Sequence, residues 1–324
     1  MNQVGSGAAA LDGGAVPRAL GERAGAETRR IWLGIAWGMA AALTTAAWWV
    51  MTRLGVSHSL DQYDLTALRF GISGLLLLPV LWAHRRAVGR VSPWLLAVIA
   101  IGAGAPFALV NGTGLTFASA GNGGAIMPGM LPLFAALLSA AVLGERISVP
   151  RRWGLAIIVG GIAAIAGHGL TAGLTATPGH ALFLLGALLW AAFSVALRRS
   201  GLAPLPAVAV VCVASLVGYV PGYMAVAGTA MAAAPWAEIL PQALFQGILS
   251  PLTALCFANA VVLLGAARSA VFGALVPVLA TLLGALALAE MPSLLESVGV
   301  VAVSAGAYLA AGATLRWRRG ARRN

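Results

Sequence analysis

Apolar stretches of about twenty residues, separated by brief polar breaks, follow one another from residue 31 to residue 315. A helix of about twenty apolar residues crosses the hydrocarbon core of a bilayer, and inside lipid only helices and closed barrels satisfy their own backbone. The pattern therefore predicts an all-α integral membrane protein. Its ten spans are expected at 31–52, 64–83, 93–115, 121–143, 153–170, 179–197, 204–227, 239–262, 269–289 and 294–315. Composition agrees, at 60% hydrophobic and 9% charged, where a soluble domain is about half apolar and a quarter charged. Residues 1–30, rich in Gly and Ala and carrying both charge signs, are expected as a flexible cytoplasmic tail, and 316–324 as a basic cytoplasmic tail.

All 20 basic residues are arginine, against 9 acids. In a soluble protein such an excess would point to nucleic acid, but these arginines form short clusters between apolar stretches. The expected partner is the bilayer, and no nucleic acid. Lys and Arg near span ends resist translocation. A cytoplasmic N-terminus puts 18 of the 20 arginines inside, with Arg53 in an outer connection and Arg69 within a span. Asp61, Asp64, Glu238, Glu290 and Glu296 then lie outside. Both termini are thus expected in the cytoplasm, and the chain in the cell inner (plasma) membrane. Cys212 and Cys256 fall in apolar stretches as small hydrophobes, and the histidines lack ligand spacing. No metal or other cofactor is expected.

The chain repeats itself at a constant offset of 145 residues. Pro132 and Glu145 meet Pro277 and Glu290; Gly154, Gly161 and Gly167 meet Gly299, Gly306 and Gly312; Arg53 meets Arg198 and Trp48 meets Phe193. The repeats are expected at 31–170 and 178–315. Each has five spans, an odd number, so the second copy enters the membrane from the opposite face. Inverted repeats let one chain expose a central site to the two sides alternately.

Several residues carry a family resemblance: the Pro followed thirteen residues later by Glu at the ends of spans 4 and 9, Leu68-Arg69-Phe70 in span 2, and Trp190-Ala191 with the Arg198-Arg199 exit of span 6. In these the sequence resembles the drug/metabolite transporter superfamily and, within it, the ten-helix EamA family. The resemblance implies a basket of helices 1–4 and 6–9 around a central cavity, with helices 5 and 10 peripheral. Small multidrug resistance proteins of the same superfamily depend on a Glu in their first helix, and span 1 here has no acid.

An ionisable group at membrane depth is costly and usually functional, which singles out Arg69. It lies about one turn inside the outer end of span 2. It is expected either to pair with Asp64, Glu290 or Glu296 or to clamp a substrate carboxylate. Glu145 and Glu290 end their helices without support from the helix dipole, so each is expected to pair with an Arg or cap a neighbouring helix. Polar and aromatic stripes at helical spacing supply the remaining substrate-binding candidates: Trp37, Thr44 and Trp48 in span 1, Asn111 in span 3, Trp190 and Phe193 in span 6, and Gln246, Ser250, Thr253 and Asn259 in span 8. Their ordinary role is helix–helix hydrogen bonding and packing. Pro132 and Pro277, at equivalent points of the repeats, are candidate hinges, with a static kink as the alternative.

The function these features support is export of small organic solutes, most of all neutral or aromatic amino acids and related metabolites, by alternating access. Drugs, sugars and nucleobases are the rival substrates. An enzyme would need a nucleophile with a base, or a metal cluster, at membrane depth, and the spans offer neither, so the protein is expected not to be an enzyme. A channel would need rings of charge or a carbonyl filter. The chain is expected to act as a monomer or weak dimer.

Overall fold

The computed structural model describes residues 15–171, 176–226 and 229–311. In chain order the helices are α1 (Ala15–Val56), α2 (Gln62–Ala83), α3 (Pro93–Phe117), α4 (Ala120–Leu143), α5 (Val149–Thr171), α6 (Thr177–Ser200), α7 (Pro204–Val226), α8 (Trp236–Leu264), α9 (Ala266–Leu288) and α10 (Leu294–Ala310). Nine of these are long and apolar enough to cross a bilayer among the described residues, and α10 is a shorter apolar helix. Residues 15–30, expected as part of the tail, are helical and continue into the first span as one helix. The rest of that tail (1–14) and the basic tail (316–324) lie outside the described residues.

Local chemistry sets the ends. Asp61 begins α2 with a capping box: its carboxylate accepts the N–H groups of Tyr63 and Asp64, and Asp64 accepts that of Asp61. Ser293 and Glu296 do the same for α10. Such reciprocal caps satisfy the orphan donors of a first turn. Helices α4 and α6 end on Gly144 and Gly201, both left-handed (φ 69° and 68°), the usual terminator.

Helix α2 packs on α7, α4 on α9 and α5 on α10, so three pairs of equivalent helices face each other. The remaining contacts exchange under the repeat: α1 lies on α8 and α9, and α6 on α3 and α4. This is the packing of two inverted five-helix repeats about a pseudo-two-fold axis, with α5 and α10 outside the central eight. The outer pair touches glycine to glycine. A Cβ at Gly161 would lie 2.8 Å from the Gly299 carbonyl, and one at Gly306 would lie 2.7 Å from that of Gly154. In lipid, where no hydrophobic effect drives helices together, such close backbone approach replaces it.

Both third helices of the repeats are interrupted, at equivalent points. Helix α3 breaks at Gly104, two residues before Pro106, and the freed Ala105 N–H goes to Ser215 Oγ at 3.0 Å. Helix α8 relaxes into a π turn at Phe245–Leu249, in which the Ser250 N–H bonds Phe245 O just before Pro251. Proline lacks the N–H that would continue the ladder, and Pro106 and Pro251 are 145 apart. The candidate hinges Pro132 and Pro277 lie instead inside helices that run through them unbroken.

Candidate functional site

Between α1, α2, α3 and α8 lies a narrow cleft whose interior, about 10 Å³, is the size of a water molecule in this state. It is walled by Trp48 and Thr52 of α1, Gln62, Leu65, Thr66 and Arg69 of α2, Ala108 and Gly112 of α3, and Gln246 of α8. A ladder of amides builds one wall. Trp48 Nε1 donates to Gln246 Oε1 at 3.0 Å, Gln246 Nε2 donates to Thr52 Oγ1 at 3.1 Å, and Gln242 Nε2 donates to the Met51 carbonyl at 2.6 Å. Burial raises the cost of leaving any of these groups unpaired, so the ladder holds the Trp48 ring in one orientation. From Trp48 the aromatic surface continues: Phe107 stacks on it at 6.2 Å, Trp190 lies 4.9 Å from Phe107, and Phe193 lies 5.2 Å from Trp190.

Arg69 sits two turns below the start of α2 at Gln62, deeper than the one turn expected. Its guanidinium lies 5.4 Å from the Trp48 ring and 5.5 Å from that of Phe70. No carboxylate pairs with it among the described residues. The three acids expected as partners are engaged elsewhere: Asp64 accepts from the Tyr223 hydroxyl, Glu290 pairs with Arg53, and Glu296 accepts the Ser293 N–H at 2.8 Å. The structure thus removes the structural reading of Arg69 as half of an ion pair with those acids.

The remaining candidates scatter. Trp48, Arg69 and Gln246 line the cleft, and Trp190 and Phe193 extend its aromatic side. Trp37 is 40% exposed and lies away from the cleft walls. The Thr44 hydroxyl donates back to Ala40 O at 2.7 Å. Asn111 is fully buried against Gly186 of α6, donates to Phe107 O, and leaves its own Oδ1 without a partner. On α8, Ser250 is buried, Thr253 half-buried, and Asn259 exposed with its amide turned back to Leu255 O. The sequence reading missed Thr52, Gln62 and Thr66. Thr52 stands one turn beyond Trp48, and Thr66 and Gln62 stand one and two turns before Arg69, so helical spacing from the strongest candidates would have found all three.

The model of the EamA-like transporter family matches residues 32–167 and again 177–312. The chain belongs to that family. Among solved structures, one described only as "Crystal structure of protein" shares 22% identity over 90% of this chain and 99% of its own, with a TM-score of 0.56, and so shares the fold. No curated protein matches the chain. This EamA-like protein is therefore a multi-pass membrane transporter of small solutes.

Two further ionic contacts tie the halves of this EamA-like transporter together. Arg53, in the last turn of α1, donates from Nε to Glu290 Oε1 at 2.7 Å and from Nη1 to Leu115 O at 2.5 Å. The other Glu290 oxygen accepts the Ala120 N–H at the start of α4, at 2.8 Å. At the opposite end of the bundle Arg198, in the last turn of α6, pairs with Glu145 and donates from Nη1 to Ser139 Oγ at 3.4 Å. The Arg198 guanidinium holds Glu145 below the usual carboxylate range. Both acids thus take the structural role expected of them.

Proposed function

We propose that the protein exports neutral or aromatic amino acids and related small carboxylates across the cell inner membrane by alternating access through the Arg69 cleft. The observation that carries this reading is a guanidinium at membrane depth, beside an indole face, with no carboxylate paired to it among the described residues. A desolvated cation without a counter-ion is costly in lipid, and a solute carboxylate supplies the missing charge with bidentate geometry. Trp48, Phe107 and Trp190 offer the apolar surface for a side chain, and the Thr52, Gln62 and Thr66 oxygens offer acceptors for an ammonium group. The lining has no acid, which disfavours organic cations, and one arginine is too little for phosphate esters. The orientation is part of the proposal: both termini in the cytoplasm, the Glu290 end facing out. Pro132 and Pro277 keep a place as candidate bending points of α4 and α9.

The test is counterflow in proteoliposomes with Arg69→Lys and Arg69→Ala. A charge-assisted hydrogen bond contributes about 1.5–3 kcal/mol, or roughly 10- to 150-fold. Loss of that order in Arg69→Ala, with part of the activity retained in Arg69→Lys, supports the clamp. Full activity in Arg69→Ala removes it.

A further inference from the structure

The two ion pairs are copies of each other. Arg198 stands 145 residues after Arg53, and Glu290 stands 145 after Glu145. Each pair is also made across the repeats: Arg53 of the first with Glu290 of the second, and Arg198 of the second with Glu145 of the first. The acids are presented alike. Each follows a left-handed residue ending its helix, Gly144 (φ 69°) before Glu145 and Ala289 (φ 54°) before Glu290. The Glu145 N–H reaches back to Ser139 O at 3.4 Å, and the Glu290 N–H to the equivalent Gly284 O at 3.3 Å. Ala289 is the only non-glycine residue with positive φ among the described residues. Strain of that kind persists where the surroundings over-determine it.

The surroundings of the two pairs differ. Side-chain exposures are 27% and 18% for Arg53 and Glu290, against 56% and 41% for Arg198 and Glu145. Arg53 and Glu290 also bind the Leu115 carbonyl and the Ala120 N–H, joining the ends of α1, α3, α4 and α9. The equivalents of those backbone groups are the Ala260 carbonyl and the Gly265 N–H, at the end of α8 and the start of α9. Neither is engaged by the Arg198–Glu145 pair, and the Gly265 N–H bonds Val261 O instead. Other bonds between the repeats lie at the Glu290 end, Ser59 with Glu238, Gln242 with Met51, Tyr219 with the Tyr63 carbonyl, and Tyr223 with Asp64, against Arg30 with the Val262 carbonyl at 3.2 Å at the Glu145 end.

We propose that Arg53–Glu290 and Arg198–Glu145 are paired latches at opposite ends of the translocation path, the first fastened here onto two helix termini and the second waiting to fasten onto Ala260 O and Gly265 N when the ends exchange. The inference rests on the alternating-access reading above and adds residues that position the helices without touching the solute. Inverted repeats make the two end states pseudo-symmetric, so the bonds made by one pair in one state prescribe those of its copy in the other. The structure is then the state sealed at the Glu290 end.

The experiment is thiol labelling of the full chain in detergent, in a Cys212→Ser, Cys256→Ala background with a reporter at Ala120→Cys. Ala120 is fully buried at the α4–α9 seam, 3.7 Å from a Cβ built at Gly284. Its backbone N–H, the group the latch uses, survives the substitution. Glu290→Gln keeps an acceptor for that N–H but loses the charge, and Arg53→Gln removes the same pair from its other side. Each is expected to raise the labelling rate about tenfold, the weight of one charge-assisted hydrogen bond. Glu145→Gln is expected to leave labelling at or below the parent rate, and Arg53→Glu combined with Glu290→Arg, which restores a charge pair but can neither accept from the Ala120 N–H nor donate to Leu115 O, to keep it raised. An unchanged rate in Glu290→Gln and Arg53→Gln, or an equal rise in Glu145→Gln, overturns the latch. Labelling needs no solute, so this failure is distinguishable from failure of the transport assay.

Discussion

Neighbouring glycines on α5 offer a sharp test of how α5 and α10 hold together. A Cβ added at Gly161 would lie 2.8 Å from the Gly299 carbonyl oxygen and 3.0 Å from both the Ala302 Cβ and a Val303 methyl. Ordinary contact begins near 3.4 Å, so the helices must part by roughly 0.6 Å along this seam, a gap that forfeits about a quarter to a half of each dispersion contact. Overpacking of this kind costs about 1–3 kcal/mol, against which the helix propensity of Ala over Gly returns up to about 1 kcal/mol. Gly161→Ala is therefore expected to destabilise by up to about 2 kcal/mol, and by about 1–3 kcal/mol relative to a glycine-to-alanine change that meets no contact. Gly160→Ala, one residue earlier with nothing within 4 Å of the new Cβ, keeps only the propensity gain and is expected to be neutral or stabilising. The assay is heat challenge of the detergent-purified protein, with the surviving monodisperse fraction read by size-exclusion chromatography. Both variants should still transport, because α5 and α10 stand outside the cleft. Equal stability of the two variants would refute the backbone-contact account of this interface.

Three further outcomes are expected. Gln246→Leu strands the Trp48 Nε1–H and loosens the ring, so it should lose about 1–3 kcal/mol of stability and shift the tryptophan emission, whereas Asn259→Leu should do neither. The Arg198 guanidinium, with Arg151 nearby, lowers Glu145 from its ordinary value of 4.5, so its contribution is present above about pH 4.5 and is lost as pH falls through the lowered value. The melting-temperature gap between wild type and Glu145→Gln should then stay constant from pH 8 to 5 and close only below; a gap that closes above pH 5 contradicts the pairing. A protease-sensitive tag after Asn324 should be cut only from the cytoplasmic side, and cleavage from the other side would reverse the proposed orientation.

Span positions and the 145-residue offset were legible because both rest on period and composition, which survive without knowledge of contacts. The offset even held the members of both ion pairs, Arg53 with Arg198 and Glu145 with Glu290. It could not show that each arginine pairs with the acid of the other repeat, since pairing depends on how the repeats dock. Site residues were harder for a related reason. Helical spacing groups Trp37 with Trp48, and Gln246 with Ser250 and Thr253, but spacing leaves open which neighbour the stripe meets and how far along the helix the cleft extends. Trp37 lies beyond its reach, and Thr44 and Asn259 satisfy themselves on their own helices. The helix interruptions fell at Pro106 and Pro251, not at the more conspicuous Pro132 and Pro277. The offset would have paired them, but the signal of Pro106 was weakened by its place among glycines. At Gly104 a Cβ would lie 2.2 Å from the Ala100 carbonyl, a requirement of the folded backbone that no periodicity expresses.

The central claim is that the Arg69 cleft carries small carboxylate solutes. Its most direct test is counterflow by the wild-type protein in proteoliposomes preloaded with single neutral or aromatic amino acids, with the matching amino-acid amide, a sugar and a nucleobase as comparisons. Labelled tracer should accumulate transiently against an amino-acid preload and fail against its amide, which keeps the side chain and ammonium group but lacks the carboxylate. Equal counterflow by acid and amide, or counterflow by the sugar or nucleobase alone, would contradict the claim and leave the inverted-repeat transporter fold in place.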